Sequence, residues 1–141
     1  MVRTIVLDAN ALVSGVLARH PAAPPFRVLQ AVRADEWIIL LSAAVVAEYR
    51  DVLLRPRVAA RHRLRRDVID SMLTRLMECG LVIDPSPSPF VAPDPDDQIF
   101  WDLLESEPDA IFVTGDQALL TSTVFPGRIT SPRLFVEQHL P

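Results

Sequence analysis

The chain contains no lysine, one cysteine and three histidines among 141 residues. With Cys79 alone, no internal disulfide can form and a thiolate metal site is effectively excluded, which fits a reducing cytosol. The histidines form no pattern: His20 lies in a proline-rich loop, His62 in an arginine run and His139 near the C-terminus. Each reads as a surface residue, so a histidine-centred zinc or triad mechanism has little support. Long apolar runs are also missing. The longest, Trp37 to Ala47, is too short to cross a bilayer, and the N-terminus passes straight into a strand pattern without a signal-peptide layout. The expectation is a soluble, cytoplasmic protein with no membrane partner. No internal repeat is visible, and the one compositional bias is Pro85 to Pro95, which holds five prolines.

About half of the residues are hydrophobic, which suits one domain over residues 1–141 and leaves little room for a second. The formal net charge of −4 provides no global attraction to nucleic acid. All 14 basic residues are arginine, and half of them lie between Arg50 and Arg66. A biased gene composition explains the missing lysine as well as function does, but the planar guanidinium fork suits bidentate phosphate contacts. Arg55, Arg57, Arg61, Arg63, Arg65 and Arg66 are therefore candidate contacts for a polyanion such as RNA. The plainer alternatives are a solvated helix and turn, or a docking surface for an acidic protein. Trp37, Phe100 and Trp101 do not interleave with this run, so no base-stacking platform is visible. Met72 and Met77 read as core.

Thr4 to Leu7 is an apolar, β-branched run that predicts a first strand buried on both faces. A short helix is expected at Asn10 to Leu17, then a proline-broken loop at His20 to Pro25 and a second helix near Phe26 to Arg33. Trp37 to Leu41 is the second strand, with Ser42 as N-cap of a helix to about Leu54 that Pro56 ends. Asp67 to Cys79 predicts another helix stopped by Gly80, and Leu81 to Ile83 a third strand. After the proline connector, Asp97 begins a helix to about Ser106, and Asp109 to Thr114 is a fourth strand. A short helix near Gln117 to Leu120, a strand at Arg128 to Thr130 and a last helix capped by Ser131 complete the chain. Strands alternating with helices imply an α/β fold with a parallel sheet.

Four acids, Asp8, Glu48, Asp97 and Asp116, fall at predicted strand ends or on the helices that follow, so one sheet edge can gather them. Each has a bland reading. Asp8 and Asp116 are common turn or capping residues. Glu48, about 40° beyond Val52 on its helix, suits a solvated position paired with Arg50 or Arg55. Asp94, Asp96 and Asp97 are rival N-caps. Asn10 and Ser14 are candidates to orient carboxylates by hydrogen bonding, or simply serve the helix start. If the four acids converge, at ~5 Å and an effective dielectric of ~20 each pair repels by roughly 3 kcal/mol, and a hard divalent ion such as Mg²⁺ or Mn²⁺ is the natural remedy.

These residues, in this order, resemble the PIN-domain nucleases, particularly the bacterial branch of toxin components in toxin-antitoxin systems. The parts that match are Ile5 through Gly15 (IVLDANALVSG), Glu48-Tyr49 with Val52-Leu53 and Arg55-Pro56, Asp94-Pro95-Asp96-Asp97, Val113-Thr114-Gly115-Asp116, and Ser131 through Phe135. The resemblance implies a PIN-like three-layer fold with a central parallel sheet of about five strands flanked by helices. It also implies Asp8, Glu48, Asp97 and Asp116 as the metal-binding quartet, cleavage of single-stranded RNA, and a cognate antitoxin as partner. By the family pattern Asp97 matches the ligand, Asp94 a supporting acid, and Asn10, Ser14 and Thr114 polar positions around the site. Ile99 departs from the pattern where a polar residue is usual, as does bulky Trp101 at the start of a commonly small stretch.

The expected function is that of a Mg²⁺- or Mn²⁺-dependent endoribonuclease in which a homodimer extends the RNA groove. One rival is an aspartyl-phosphate phosphatase with Asp8 as nucleophile, disfavoured by Asn10 and by the absent lysine. The other is a PIN-like module that binds RNA or protein and cuts nothing.

Overall fold

The computed structural model describes residues 3–141. Among them, β1 (Thr4–Leu7), β2 (Ile38–Leu41), β3 (Leu81–Val82), β4 (Ile111–Val113) and β5 (Ile129–Thr130) form a parallel sheet in the order β3-β2-β1-β4-β5. The central strands are almost entirely apolar because helices cover the sheet, leaving no solvent face for polar side chains to use. The edge strand β3 differs, with Leu81 and Val82 both exposed.

The flanking helices are α1 (Ala9–Leu17), α2 (Pro24–Arg33), α3 (Ala43–Leu54), α4 (Pro56–His62), α5 (Arg66–Cys79), α6 (Gln98–Ser106), α7 (Gln117–Leu120) and α8 (Pro132–His139). A single 3₁₀ turn, Pro95–Asp97, leads into α6. Their buried faces join the strands in a continuous cluster that includes Leu12, Val45, Leu53, Ile69, Phe100, Phe112 and Phe135. Ser42 and Ser131 cap α3 and α8 as their positions predict, accepting from the Val45 and Leu134 amides at 3.2 Å.

Several expectations need correction. α2 starts at Pro24, inside the segment read as loop, because proline at the first helical positions lacks only an amide that would have no partner there. Within the arginine run, α4 is a separate helix, again opened by proline. Met77 is 38% exposed, not core. His62 and His139 are half-buried: His62 bonds the Leu53 carbonyl, and His139 packs edge-on against Trp37. Trp101 is fully buried, with Phe112 and Phe125 edge-to-face against it, so this chain fills a usually small position with an aromatic cluster.

Gly80 ends α5 for a reason other than a left-handed cap, since its φ is −93°. A Cβ there would lie 2.6 Å from Ile39 Cγ2 and from the Ile39 carbonyl, and 2.7 Å from the Leu76 carbonyl. Two of those atoms belong to the backbone and cannot move aside cheaply. Gly80→Ala should therefore destabilise the fold by about 2 kcal/mol, read as a lower urea midpoint. An unchanged midpoint would show that helix and strand are not so closely packed.

Candidate functional site: acids at the switch point of the sheet

From β1 the chain order runs one way through β2 and β3 and the other way through β4 and β5, so β1 and β4 flank a topological switch point. Leu7 pairs with Val113, which sets the next residues, Asp8 and Thr114, side by side at the carboxyl ends of their strands. The Asp8 amide donates to the Val113 carbonyl at 3.0 Å. The Thr114 hydroxyl donates to Asp8 Oδ2 at 2.7 Å and accepts from the Asp116 amide at 3.0 Å. One buried hydroxyl thus ties the carboxylate of one strand to the loop after its neighbour.

Asp8 is only 5% exposed. It occupies the N-cap position of α1, yet its side chain makes no capping bond. Burial pushes its carboxyl above the ordinary range, the Thr114 bond and the adjacent Ala9 and Asn10 amides pull it back, and the charge of Asp116 pushes it up, leaving it raised.

The acidic turn resolves its own ambiguity. Asp94 is the cap, with Oδ1 accepting from the Asp96 amide at 2.9 Å, while Asp97 makes no capping bond. Asp97 is half-buried, and burial first, then the charges of Asp8, Asp94, Asp116 and Asp96, raise its carboxyl to about 6. Asp116 is exposed and does cap α7, accepting from the Ala118 amide at 2.9 Å. The capping reading of Asp116 therefore holds, and capping engages one carboxylate oxygen only.

Glu48 is raised by burial, lowered by Arg55, and raised by Asp51, Asp96 and Asp8. Its Arg55 contact is long, 4.0 Å, since Arg55 pairs more closely with Asp51 at 3.2 Å. Arg50 is bound to Asp70. The quartet thus shares one electrostatic neighbourhood. Asn10 and Ser14 are exposed on α1, and among the described residues neither side chain makes a hydrogen bond.

Among the described residues, no three Asp, Glu, His or Cys side chains stand close enough to enclose a metal ion. The donor set still fits one. Mg²⁺ is commonly held by one or two carboxylates and several waters, and here an uncapped, half-buried Asp97 and a buried Asp8 lie close enough to raise each other's cost of ionisation.

Two residues that position these acids carry little sequence signal. Gln98 donates to the Phe90 carbonyl and accepts from the Ala92 amide, both at 2.9 Å, pinning the proline connector against α6 and so setting where Asp97 begins. Its place directly after Asp97 is the one hint. Tyr49 is fully buried and donates its hydroxyl to the Leu7 carbonyl at 2.6 Å, joining α3 to the residue before Asp8. It is the chain's only tyrosine. Tyr49→Phe should lower stability by about 1–2 kcal/mol, seen in chemical denaturation, by removing that buried bond. A variant as stable as the parent would mean the hydroxyl adds nothing.

The chain matches the family model described as PIN domain over residues 4–118, a span that contains all four acids and the switch point. No curated protein and no solved structure matches it. The protein belongs to the PIN domain family, whose members are typically metal-dependent nucleases.

Proposed function

We propose that this protein is a Mg²⁺- or Mn²⁺-dependent endoribonuclease that hydrolyses phosphodiester bonds of single-stranded RNA, with Asp8, Glu48, Asp97 and Asp116 as its catalytic acids. The observation that carries the reading is the uncapped, half-buried Asp97, whose proton is held to about pH 6 by burial and by the surrounding carboxylates. A plain helix cap would not be built this way.

When bound, a divalent ion activates water and neutralises charge on the phosphoryl oxygens. Asp97 and Asp8 would hold it, the latter oriented by Thr114 and, through its backbone, by Tyr49. Asp116 has one oxygen committed to α7 and one free to contribute. Glu48, on the neighbouring helix, would complete the set or orient water through its carboxylate. Asp94 supports the turn by capping it. Asn10 and Ser14, exposed and without side-chain hydrogen-bond partners among the described residues, are available to meet substrate.

The arginine run begins beside this site, with Arg55 within reach of Glu48. Arg55 and Arg65 are engaged by Asp51 and Asp67. Among the described residues Arg57, Arg61, Arg63 and Arg66 form no ion pair, so these four are the better candidates for phosphate. The toxin role, the antitoxin partner and the homodimer belong to the same reading and rest on the family resemblance, and the cytoplasmic location rests on the single cysteine, which fits a reducing compartment. A short neighbouring gene for an antitoxin-like protein would support the first two.

The test is to incubate the purified protein and Asp97→Asn with labelled single-stranded RNA in Mn²⁺, Mg²⁺ or EDTA. Cutting by the parent alone, and only with metal, is expected. Equal cutting by both proteins would refute the site, and RNA bound but uncut under every condition would identify a binding module.

A further inference from the structure

We infer that Arg19, Arg61 and Arg63 form a separate phosphate subsite, which holds a backbone phosphate of the RNA strand a few nucleotides from the bond that is cut. The inference rests on the nuclease reading above and adds a second anchoring point to it.

The three arginines come from two places in the sequence. Arg19 follows the C-terminal end of α1, whereas Arg61 lies in the last turn of α4 and Arg63 is that helix's left-handed C-cap, with φ 56°. They meet around a recess of about 280 Å³, completed by Leu17 and Ala60, and among the described residues no acid lines it. Among the described residues none of the three guanidiniums forms an ion pair or donates a side-chain hydrogen bond. Arg50, Arg55, Arg65 and Arg133 each have a carboxylate partner. Three guanidiniums left without counter-charge around one small recess repel one another, and a compact anion relieves that repulsion.

The recess is held in shape from below. His62, between two of the arginines, has Nδ1 accepting from the Leu64 amide at 2.9 Å and Nε2 2.8 Å from the Leu53 carbonyl, so its Nε2 carries the proton and donates. That pair of bonds fastens residues 61–64 to the end of α3. A phosphate, with several acceptor oxygens, suits three forked donors better than a two-oxygen carboxylate of an acidic protein.

Position relative to the acids follows from α1 itself. Asp8 stands before the first residue of that helix and Arg19 just beyond its last, and at 1.5 Å rise per residue the two ends are roughly 15 Å apart. With ~3.4 Å per stacked nucleotide, and up to about twice that in an extended strand, this corresponds to about two to four nucleotides. One helix would thus act as a ruler between the cut and an anchored phosphate.

The experiment uses the double variant Arg19→Gln/Arg61→Gln in the full chain, both side chains being exposed, with matching thermal midpoints as the folding control. Binding of a labelled single-stranded RNA is measured against salt in an Asp97→Asn background, so that nothing is cut. The double variant should bind about tenfold more weakly, with the salt slope reduced by about 1.4 for two lost contacts. A single neutral methylphosphonate, moved along the strand, should weaken binding to the parent at one fixed distance from the cut and have no effect there in the double variant.

Unchanged affinity and slope, in a protein that still cuts RNA with Mn²⁺, would overturn the subsite alone. Failure of the parent to bind or cut RNA would overturn the nuclease reading with it. Loss of polyglutamate binding with RNA binding intact would make the recess a protein-docking surface, and retention of inorganic phosphate that RNA does not displace would make it a free-anion site. Either result would refute the inference.

Discussion

Asp97→Asn should stabilise the metal-free protein by on the order of 1–2 kcal/mol at pH 7.5 while lowering RNA cutting by about 100-fold or more. The two effects have one cause. In the folded chain the Asp97 carboxyl is raised to about 6, against an ordinary value of about 3.9, so the folded state binds its proton more tightly than the unfolded state does. Stability therefore falls as pH rises from about 4 through 6, and the full penalty is present above that window. The unscreened shift would correspond to about 3 kcal/mol, and solvent reaching the half-exposed group reduces it. An uncharged Asn removes the penalty and, with it, the carboxylate proposed to hold the metal.

Thermal unfolding in EDTA at pH 5 and 7.5 makes the comparison. The parent should lose several degrees between the two, the variant less, and the variant should melt about 3–5 °C above the parent at pH 7.5. Mn²⁺ should raise the melting temperature of the parent more than that of the variant. A variant that melts at or below the parent in EDTA would mean that the acids do not repel one another as their surroundings imply.

Thr114→Val should cost about 3 kcal/mol at pH 7.5, a large loss for a change that nearly preserves shape. The hydroxyl is the side-chain donor to a carboxylate that is only 5% exposed, and its own lone pair takes the Asp116 amide. Valine removes the hydroxyl donor from the Asp8 carboxylate, leaving it only the adjacent Ala9 and Asn10 amides, and removes the acceptor of the Asp116 amide. Asp8 has its carboxyl raised by burial even with the Thr114 bond present, and removing a bond that lowers it shifts it further upward. The destabilisation should accordingly shrink as pH falls and Asp8 takes up its proton. Urea titrations at pH 5 and 7.5 would show this, and Thr114→Ser, which keeps the hydroxyl, should recover most of the loss. Equal effects of Val and Ser would assign the cost to packing, not to the bond.

The strands were legible because each central one is an uninterrupted apolar run, a pattern that only a covered parallel sheet explains. Helix starts were legible where a serine cap or a proline marked them, as at Ser42 and Ser131. Failures cluster where a residue has two compatible roles. Pro24 can break a helix or begin one, and only packing of Val28, Leu29 and Val32 into the core decided that it begins one. Gly80 does stop its helix as expected, but the sequence did not show that its place is also a close contact with Ile39.

For the candidate site, the four acids were nominated by their places at or after predicted strands and by an order that resembles a family pattern. Their division of labour was not legible. Which of Asp94, Asp96 and Asp97 is the cap depends on the geometry of one 3₁₀ turn, and a string of similar acids carries no record of that geometry. The convergence of Arg19 with Arg61 and Arg63 was equally invisible, because more than forty residues separate them in the chain and helix packing alone closes the gap.

By itself, the order of residues determined the parallel α/β architecture and nominated the charged groups, since periodicity and strand-end position are local properties of a chain. Tertiary structure alone decided that the Thr114 hydroxyl holds Asp8, that Tyr49 braces the residue before it, and which arginines are already neutralised by an acid. Those facts depend on strand register and on which side chains meet across elements, and distance in space is not written in distance along the chain.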